Sequence, residues 1–411
     1  MRYVLHCDLN NFYASVECLL DESLVGKPVV VCGRVEDRHG IVLAKNMIAK
    51  RAGIKTGMTL YEARKLAPNL ETREARHDLY IKYSRMVKKI YKEYSDRVES
   101  FGIDEAWVDV SKIASSFYEA YGIADEIRRR VKNEIGLTIS IGVSFNKVFA
   151  KLGSDIKKPD AITVIDTNNY KSIVWSLPVE DLLYVGKSTK NKLNNLTIKT
   201  IGELANFDLK LLIMHLGKWG EVLYSYARGE DCDEVKRYED IDEIKSVGNS
   251  LTYYRDITNN EDVEALLLLL SESVSARMME YGYKFARTIS LIVTTNDLHS
   301  FSRMITIPEP THLASEISDE AMKLFLKHFN WSSGLVRGLG VSVSNFTNTE
   351  QVCLTDTYVK RKKLEKLEEA VENVRRRFGR NSVNRGIVLK EKRMEELNIK
   401  EGHVVHPKSD L

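Results

Sequence analysis

The stretch Glu99-Ser-Phe-Gly-Ile-Asp-Glu-Ala-Trp-Val-Asp-Val-Ser111 constrains this chain more than any other. It sets Asp104 and Glu105 side by side among apolar residues, and the alternation Ala106, Val108, Val110 predicts a strand with one buried face. Successive side chains of a strand point to opposite faces, so the two acids cannot both be ordinary surface carboxylates. At a hairpin turn, however, both can converge on one cation. A buried carboxylate without a partner is costly, and a cation or a proton is the remedy.

A lone Asp-Glu pair reads most simply as a solvated turn. The N-terminus changes that reading. In Tyr3-Val-Leu-His-Cys-Asp-Leu-Asn-Asn-Phe-Tyr-Ala-Ser-Val-Glu17, an apolar strand (Val4, Leu5, Cys7) runs into Asp8, with Phe12 and Tyr13 close behind. Three carboxylates from two strand ends make a hard oxygen site. Such a site suits Mg²⁺, which prefers carboxylates plus substrate phosphates to an all-protein cage.

The 411 residues, 43% of them hydrophobic, can bury several cores, so two to four domains are expected. A formal charge of +3 announces no nucleic-acid partner; any basic surface must be local. The 5 cysteines form no CxxC pair and have no histidine at zinc spacing, which suits a reducing cytoplasm and excludes a disulfide framework. Cys7 and Cys32 lie in apolar runs and read as small core residues. No signal peptide is visible, and the leucine run at 265–270 is too short to span a bilayer, so a soluble intracellular protein is expected.

In chain order, residues 1–18 predict a strand and the start of a helix. Segment 19–77 reads as a small insert with strands at 29–32 and 41–44, a polar turn at 34–40, a helix from Asn46, and Pro68-Asn69 closing it. A helix over 78–96 should bury the face Leu79, Tyr83, Met86, Val87, Ile90, Tyr94. The strand pair through Asp104, a helix at 117–134 and strands at 138–144 and 162–165 complete a β-α-β-β-α-β, ferredoxin-like plan. Residues 166–233 read as all-helical, and 231–245 as a charged linker. Residues 246–346 alternate again as a second α+β domain. A final helix over 357–378 should bury Leu364, Leu367, Val371, Val374 and Phe378, with Lys and Arg outside.

The motifs Asp8-Leu-Asn-Asn-Phe-Tyr-Ala-Ser-Val-Glu17, Gly26-Lys-Pro-Val-Val-Val31, Gly102-Ile-Asp-Glu-Ala106, Gly142-Val-Ser-Phe-Asn-Lys-Val-Phe-Ala-Lys151 and Lys157-Lys-Pro159 follow one another as in the Y-family (translesion) DNA polymerases. The resemblance covers roughly residues 1–346. Toward the end, Phe378-Gly-Arg-Asn-Ser-Val-Asn-Arg-Gly386 resembles the polymerase V catalytic-subunit branch more than polymerase IV.

The resemblance implies an α+β, right-hand polymerase fold. Its parts would be a ferredoxin-like palm (1–18 and 78–165), small fingers (19–77), a helix-hairpin-helix thumb (166–233), a linker (234–245), a C-terminal α+β little finger (246–346) and an extension with an amphipathic helix (347–411). It also implies a cytoplasmic, nucleoid-associated bacterial monomer that extends primer–template DNA with dNTPs, at low fidelity and low processivity, in DNA damage tolerance.

For the site, the resemblance implies two Mg²⁺ ions held by Asp8, Asp104, Glu105 and the Leu9 carbonyl. Lys158, with Lys157 as competitor, would bind the triphosphate, and Tyr13 would be the steric gate against ribonucleotides, with Phe12 near the sugar. From the fingers the family often offers Thr, Tyr and Arg to the triphosphate. Here Ala44, Met47 and Lys50 stand in their places, so weaker nucleotide binding is expected. Gly102 stands where the family commonly has Ser. The hairpin Val185, Gly186, Lys187, Thr189 is expected on the DNA backbone, although Tyr184 and Thr197 replace its usual glycines. Arg255, Lys284, Arg287 and Arg303 are candidate phosphate contacts in the little finger.

Two other classes fit parts of the pattern. A nucleotide cyclase also sets carboxylates on a ferredoxin-like sheet, but needs neither the hairpin nor the second α+β domain. A non-catalytic DNA-binding adaptor would not need three intact carboxylates. Glu350-Gln-Val-Cys-Leu-Thr-Asp356 sits where relatives carry a short motif for the bacterial sliding clamp. Gln351 and Leu354 remain, but Thr355 takes the place of the aromatic anchor, in which such interfaces concentrate ~2 kcal/mol or more. A 346–360 peptide titrated against the clamp should therefore bind no better than micromolar; nanomolar binding would contradict this reading.

Overall fold

The computed structural model describes residues 1–33, 40–240, 243–349, 356–379, 382–390 and Met394. Of the polar turn expected at 34–40 and the clamp motif at 350–356, residues 34–39 and 350–355 lie outside the described residues. The described residues of 1–32 and 41–242 form one compact unit, and those of 243–404 with Gly33 and Gly40 a second.

The first unit is built on β1 (Val4–Leu9), buried along its whole length, which leads into α1 (Phe12–Leu20). Next come β2 (Val29–Cys32), β3 (Val42–Lys45), α2 (Met47–Arg51), α3 (Leu60–Leu66) and β4 (Glu71–Glu74). Then come α4 (His77–Lys92), β5 (Val98–Ser100), β6 (Glu105–Asp109), α5 (Phe117–Arg130), β7 (Ile139–Ser144), α6 (Lys147–Ile156) and β8 (Ile162–Ile165). The main sheet runs β5-β6-β1-β7-β8. Strands β5, β6, β1 and β7 are antiparallel neighbours and already complete the ferredoxin-like plan. Strand β8 is a fifth, parallel to β7 and reached through α6.

Both faces of this sheet are covered, which corrects the expectation of one buried face for β6. Ala106 and Val108 face a core with Tyr80, Val87, Ile90, Ala124 and Ile127. Trp107, on the other face, packs with Val4, Ala150 and Val235, and its Nε1 donates to the Lys147 carbonyl at 2.9 Å. Helix α6 can lie this close because of Gly142: a Cβ there would sit 1.8 Å from the Ala150 carbonyl oxygen and 2.5 Å from the Ser154 amide.

The face of α4 also differs from expectation. Tyr80, Ser84, Val87, Lys88, Ile90 and Tyr91 are buried, and Met86 is exposed. The apolar pattern missed this because two polar side chains, Ser84 and Lys88, turn inward to serve the Asp104 turn. The small sheet of residues 29–74 has the order β3-β2-β4 over a small core of Val30, Val42, Ile54 and Leu60. Neither β4, a polar Glu-Thr-Arg-Glu run, nor α3, closed by a Thr59–Glu62 capping box, was legible from apolar periodicity.

The segment after β8 is all-helical, as expected: α7 (Tyr170–Val174), α8 (Lys187–Asn195), α9 (Ile201–Ala205), α10 (Leu209–Leu216) and α11 (Lys218–Ala227). The charged stretch beyond it is in part no free linker. Val235 is buried, Lys147 N donates to Asp231 at 3.1 Å, Lys236 N to Glu99 at 3.0 Å, and Arg97 pairs with Glu234 at 2.7 Å.

In the second unit, β9 (Ser246–Ile257), α12 (Asn260–Glu280), β10 (Phe285–Thr295), β11 (Ser300–Thr311), α13 (Ala314–His328) and β12 (Val336–Thr347) form an antiparallel sheet, order β11-β10-β12-β9, against the two helices. The last helix, α14 (Asp356–Phe378), bears out the expected amphipathic reading only in part. Leu364 and Val371 are half-buried, but Leu367, Val374 and Phe378 are exposed, whereas Arg375 is buried. The reason is electrostatic. Glu272 of α12 is buried and takes Arg375 at 2.9 Å and Arg385 at 3.0 Å. Glu368 accepts from the Ala314 amide at 2.9 Å, at an α13 N-terminus that has no side-chain cap of its own. Charge thus docks α14 where apolar area was expected to.

The α6 contact yields a prediction. Gly142→Ala should lower the unfolding free energy by about 3 kcal/mol or more, because the overlap is with backbone that cannot give. Urea unfolding of both proteins measures it; an unchanged midpoint would mean α6 shifts freely.

Candidate active site

Strand register brings the acids together. Asp8, near the end of β1, lies directly across from Glu105, the first residue of β6. The turn 101–104 closes where the Phe101 and Gly102 amides both donate to the Glu105 carbonyl, at 3.1 and 3.3 Å. Leu9 N donates to the Asp104 carbonyl at 3.0 Å, stitching the turn to β1. From beneath, α4 holds the same turn: Lys88 Nζ donates to the Gly102 carbonyl at 2.8 Å and Ser84 Oγ to the Ile103 carbonyl. The absence of a side chain at Gly102 also has a physical correlate, since a Cβ there would stand 3.3 Å from Asp104 Oδ1.

Each acid faces a lysine. Asp8 accepts from Lys158 Nζ at 2.6 Å, and Lys158 also reaches Asp155 at 2.7 Å. Glu105 accepts from Lys151 Nζ at 2.8 Å and lies 3.6 Å from His6 Nε2. Asp104 feels the charges of Lys88 and Lys158. Burial pushes the Asp8 carboxyl up to about 7 against the pull of Lys158, and the Glu105 and Asp104 charges add to the push. Asp104 is raised by burial first and by Glu105 second. For Glu105 burial also raises, but His6 and Lys151 outweigh it and hold the carboxyl well below its usual range. His6 is fully buried and driven by that burial toward its neutral form, so Lys151 is the cation that counts. Burial pushes the Lys88 amine down to about 7, with Asp104 opposing.

Among the described residues, no three His, Cys, Asp or Glu side chains close into a cage around a metal position. Asp8 and Glu105 are turned onto lysines instead. The donor set still fits Mg²⁺, which takes few protein carboxylates and completes its shell with water and phosphate. Buried anions whose charge is costly are also the groups a divalent cation would stabilise most.

The other expected residues separate. Lys158, not the exposed Lys157, reaches the acids. Tyr13 is partly exposed and its ring stacks on Tyr80 with centroids 4.2 Å apart. Burial and the Asp104 charge push its hydroxyl up to about 12. Phe12 is buried in the same core as Tyr80, with the two ring centroids 6.2 Å apart, so its side chain serves packing. Lys50 is exposed on α2, and the charge on Lys45, at the end of β3, feels it. Ala44 packs against the main core.

In the helical segment, Tyr184 and Thr197 adopt the left-handed φ of +68° and +65° that the replaced glycines would favour. Tyr184 is held there against Trp219 at 5.4 Å. Gly186 caps α8 without a side-chain hydrogen bond, and Lys187 is exposed beside it, with Thr189 partly so. Val185 is corrected, since its side chain is buried and its amide already donates to the Leu182 carbonyl at 3.0 Å. In the second unit Lys284 and Arg303 are exposed and Arg287 half-buried, while Arg255 is tied to Asp262 at 2.8 Å. Sequence reasoning gave no role to His6, Lys88, Lys151 or Tyr80. Only His6 and Lys151, each within a quoted stretch, carried any signal.

The chain matches the model of the impB/mucB/samB family over residues 7–155, that family's C-terminal domain over 244–355, and a DNA polymerase-iota thumb domain over 180–231. It is 51% identical to a DNA polymerase IV of Acetivibrio thermocellus, over 96% of this chain and 100% of that one. It is 36% identical to the DNA polymerase IV of Moorella thermoacetica (94% and 96%) and 35% identical to DNA polymerase IV 1 of Bacillus subtilis (95% and 94%). A solved Y-family DNA polymerase chimera shares the fold, with a TM-score of 0.74 at 23% identity over 84% of this chain and 100% of that one. The chain belongs to the impB/mucB/samB family, the Y-family of DNA polymerases. The relatives named here are DNA polymerase IV proteins, whereas segment 378–386 had suggested the polymerase V branch.

The lysine partners yield a prediction. Lys151→Met should cost about 2 kcal/mol of stability in EDTA, by leaving Glu105 half-buried with only His6 beside it. In millimolar Mg²⁺ the loss should shrink, because the ion supplies the missing charge. Thermal unfolding in both buffers checks this, and equal losses would argue against a cation position at Glu105.

Proposed function

We propose that this chain is a template-directed, Mg²⁺-dependent DNA polymerase that extends a primer 3′ end past damaged template positions. The observation that carries the reading is the register of Asp8 against Glu105, with Asp104 in the adjoining turn. Asp8 and Asp104 would hold both ions, while Glu105 and the Leu9 carbonyl would complete the one on the primer side. Two bound Mg²⁺ ions would supply positive charge to the attacking and leaving oxygens of nucleotidyl transfer.

The chain's own residues do the rest. The strand pair and the Leu9–Asp104 bond fix the acids in place before substrate arrives. Lys158, anchored on Asp8 and Asp155, is free to trade the Asp8 contact for a triphosphate oxygen. Low fidelity is proposed from the resemblance of residues 19–77 to small fingers. Lys45 and Lys50 offer point charges where a bidentate arginine would grip harder, which supports weak nucleotide binding. The exposed α8 N-terminus at Gly186, Lys187 and Thr189 is proposed on the DNA backbone, as are Lys284, Arg287 and Arg303. Low processivity, a monomeric state, action on nucleoid DNA in the cytoplasm, and weak clamp contact through Gln351 and Leu354 belong to the same proposal. Among the described residues, no helix is long and apolar enough to cross a membrane.

Asp104→Ala should abolish primer extension and leave primer–template affinity nearly unchanged. A loss of ~4 kcal/mol of transition-state stabilisation is a factor of about 10³ in rate. A variant retaining a tenth of the rate would sink the assignment. Tyr13→Ala should raise CTP insertion opposite template G at least tenfold, equivalent to ~1.4 kcal/mol, with a modest loss for dCTP. An unchanged dCTP-to-CTP ratio would make Tyr13 an ordinary packing residue.

A further inference from the structure

Tyr13 discriminates sugars by obstruction only if its ring cannot retreat. An aromatic ring free to reach another staggered rotamer gives way to a 2′-hydroxyl at small cost. The chain contains a device that denies it that freedom. The Tyr13 ring lies nearly parallel to Tyr80, 12° between planes and 4.2 Å between centroids. His77 meets both rings edge-on, at 5.9 and 6.1 Å. Tyr80 is fully buried, and its hydroxyl donates to Glu17 Oε1 at 2.7 Å. Glu17 is 2% exposed, and Arg76 grips it with Nε at 3.1 Å and with Nη2.

The spacing explains the geometry. Glu17 stands four residues after Tyr13, one turn along α1, and Tyr80 four residues after Arg76 at the start of α4. Two consecutive turns of two helices are thereby linked ring to ring and charge to charge. Stability is a poor explanation for this arrangement. The pair is sheltered on one side only, since the Arg76 side chain keeps 50% of its exposure against 2% for Glu17, and an ion pair this open to water adds little stability. What it does supply is a fixed direction: a hydroxyl–carboxylate bond sets one orientation of the Tyr80 ring, which apolar contact alone would not.

We infer that Glu17, held by Arg76, is a positioning residue for sugar selectivity, acting through Tyr80 to keep the Tyr13 ring rigid against a 2′-hydroxyl. This rests on the reading of Tyr13 as the steric gate. A loosened brace admits ribonucleotides while leaving the three carboxylates untouched. The effect is therefore on the choice between substrates and not on turnover of the correct one.

The test is single-nucleotide insertion of dCTP and CTP opposite template G, with kcat and KM for each, using the full chain. Wild type is compared with Tyr13→Ala, Tyr80→Leu, Tyr80→Phe and Glu17→Gln, and thermal unfolding identifies folded variants. Tyr80→Leu, which removes the stacked ring, should lower the dCTP-to-CTP ratio of kcat/KM at least tenfold. Glu17→Gln and Tyr80→Phe, which keep the ring and weaken its anchor, should each lower it at least threefold, through faster CTP insertion. If Glu17→Gln does not fold, Tyr80→Phe carries the test, since it deletes one hydroxyl. Losses of equal factor for dCTP and CTP mark a merely structural role and overturn the inference. So does a wild-type ratio in the Tyr80 and Glu17 variants while Tyr13→Ala relaxes it, which leaves the gate standing. If Tyr13→Ala itself leaves the ratio unchanged, gate and brace both fail.

Discussion

The structure of the first unit depends on gathering three carboxylates, from the end of β1 and the turn into β6, where burial resists the charge of Asp8 and Asp104. Nothing about β1 favours this: it is covered along its length, and Asp8 sits where burial resists ionisation. The chain meets the difficulty with lysines drawn from separate elements. Lys151 comes from α6 and Lys158 from the turn after it, each bonded to an acid, while Lys88 of α4 bonds the Gly102 carbonyl and reaches Asp104 through its charge alone. Those elements must therefore lie close to the sheet, which is why Gly142 admits α6 and why Ser84 and Lys88 occupy the inner face of α4. A site whose anions are held by exchangeable cations is ready to receive metal ions and a polyphosphate, since each incoming group replaces a contact already there.

The same logic recurs away from the acids. Glu17 is a buried carboxylate satisfied by Arg76 and Tyr80, and Glu272 one satisfied by Arg375 and Arg385. In both cases a costly charge fixes orientation: of an aromatic ring in the first unit, and of α14 on α12 in the second. Apolar area supplies the bulk of each core, while these few charges decide which way particular elements face.

This division explains how far the sequence could be read. Asp8, Asp104 and Glu105 were legible because adjacent acids at the ends of apolar runs have few structural uses. The ferredoxin-like plan and the second α+β domain followed from periodicity alone. Tyr184 and Thr197 were legible as oddities, and their left-handed backbone shows that the hairpin geometry persists without glycine. The inward faces of α4 and α14 were misread because apolar periodicity assigns every polar residue to solvent, and Lys88 and Arg375 are buried by partners far along the chain. Strand β4 left no pattern, since its four residues are polar and its partner β2 supplies the burial. Phe12 and Val185 show the converse error: residues within a functional motif whose side chains serve the core.

The central claim is that divalent cations take over the acids that lysines hold in their absence. A crystal of the chain with primer–template DNA, a non-reactive dNTP analogue and Mn²⁺ tests this most directly, through the anomalous signal of the metal. The account predicts two peaks between Asp8, Asp104 and Glu105, each roughly 2.1 Å from carboxylate oxygens. It also predicts that Lys158 Nζ will have left Asp8 for the triphosphate. Ordered substrate with the Lys158–Asp8 and Lys151–Glu105 pairs both intact, and no anomalous peak among the three acids, would contradict it.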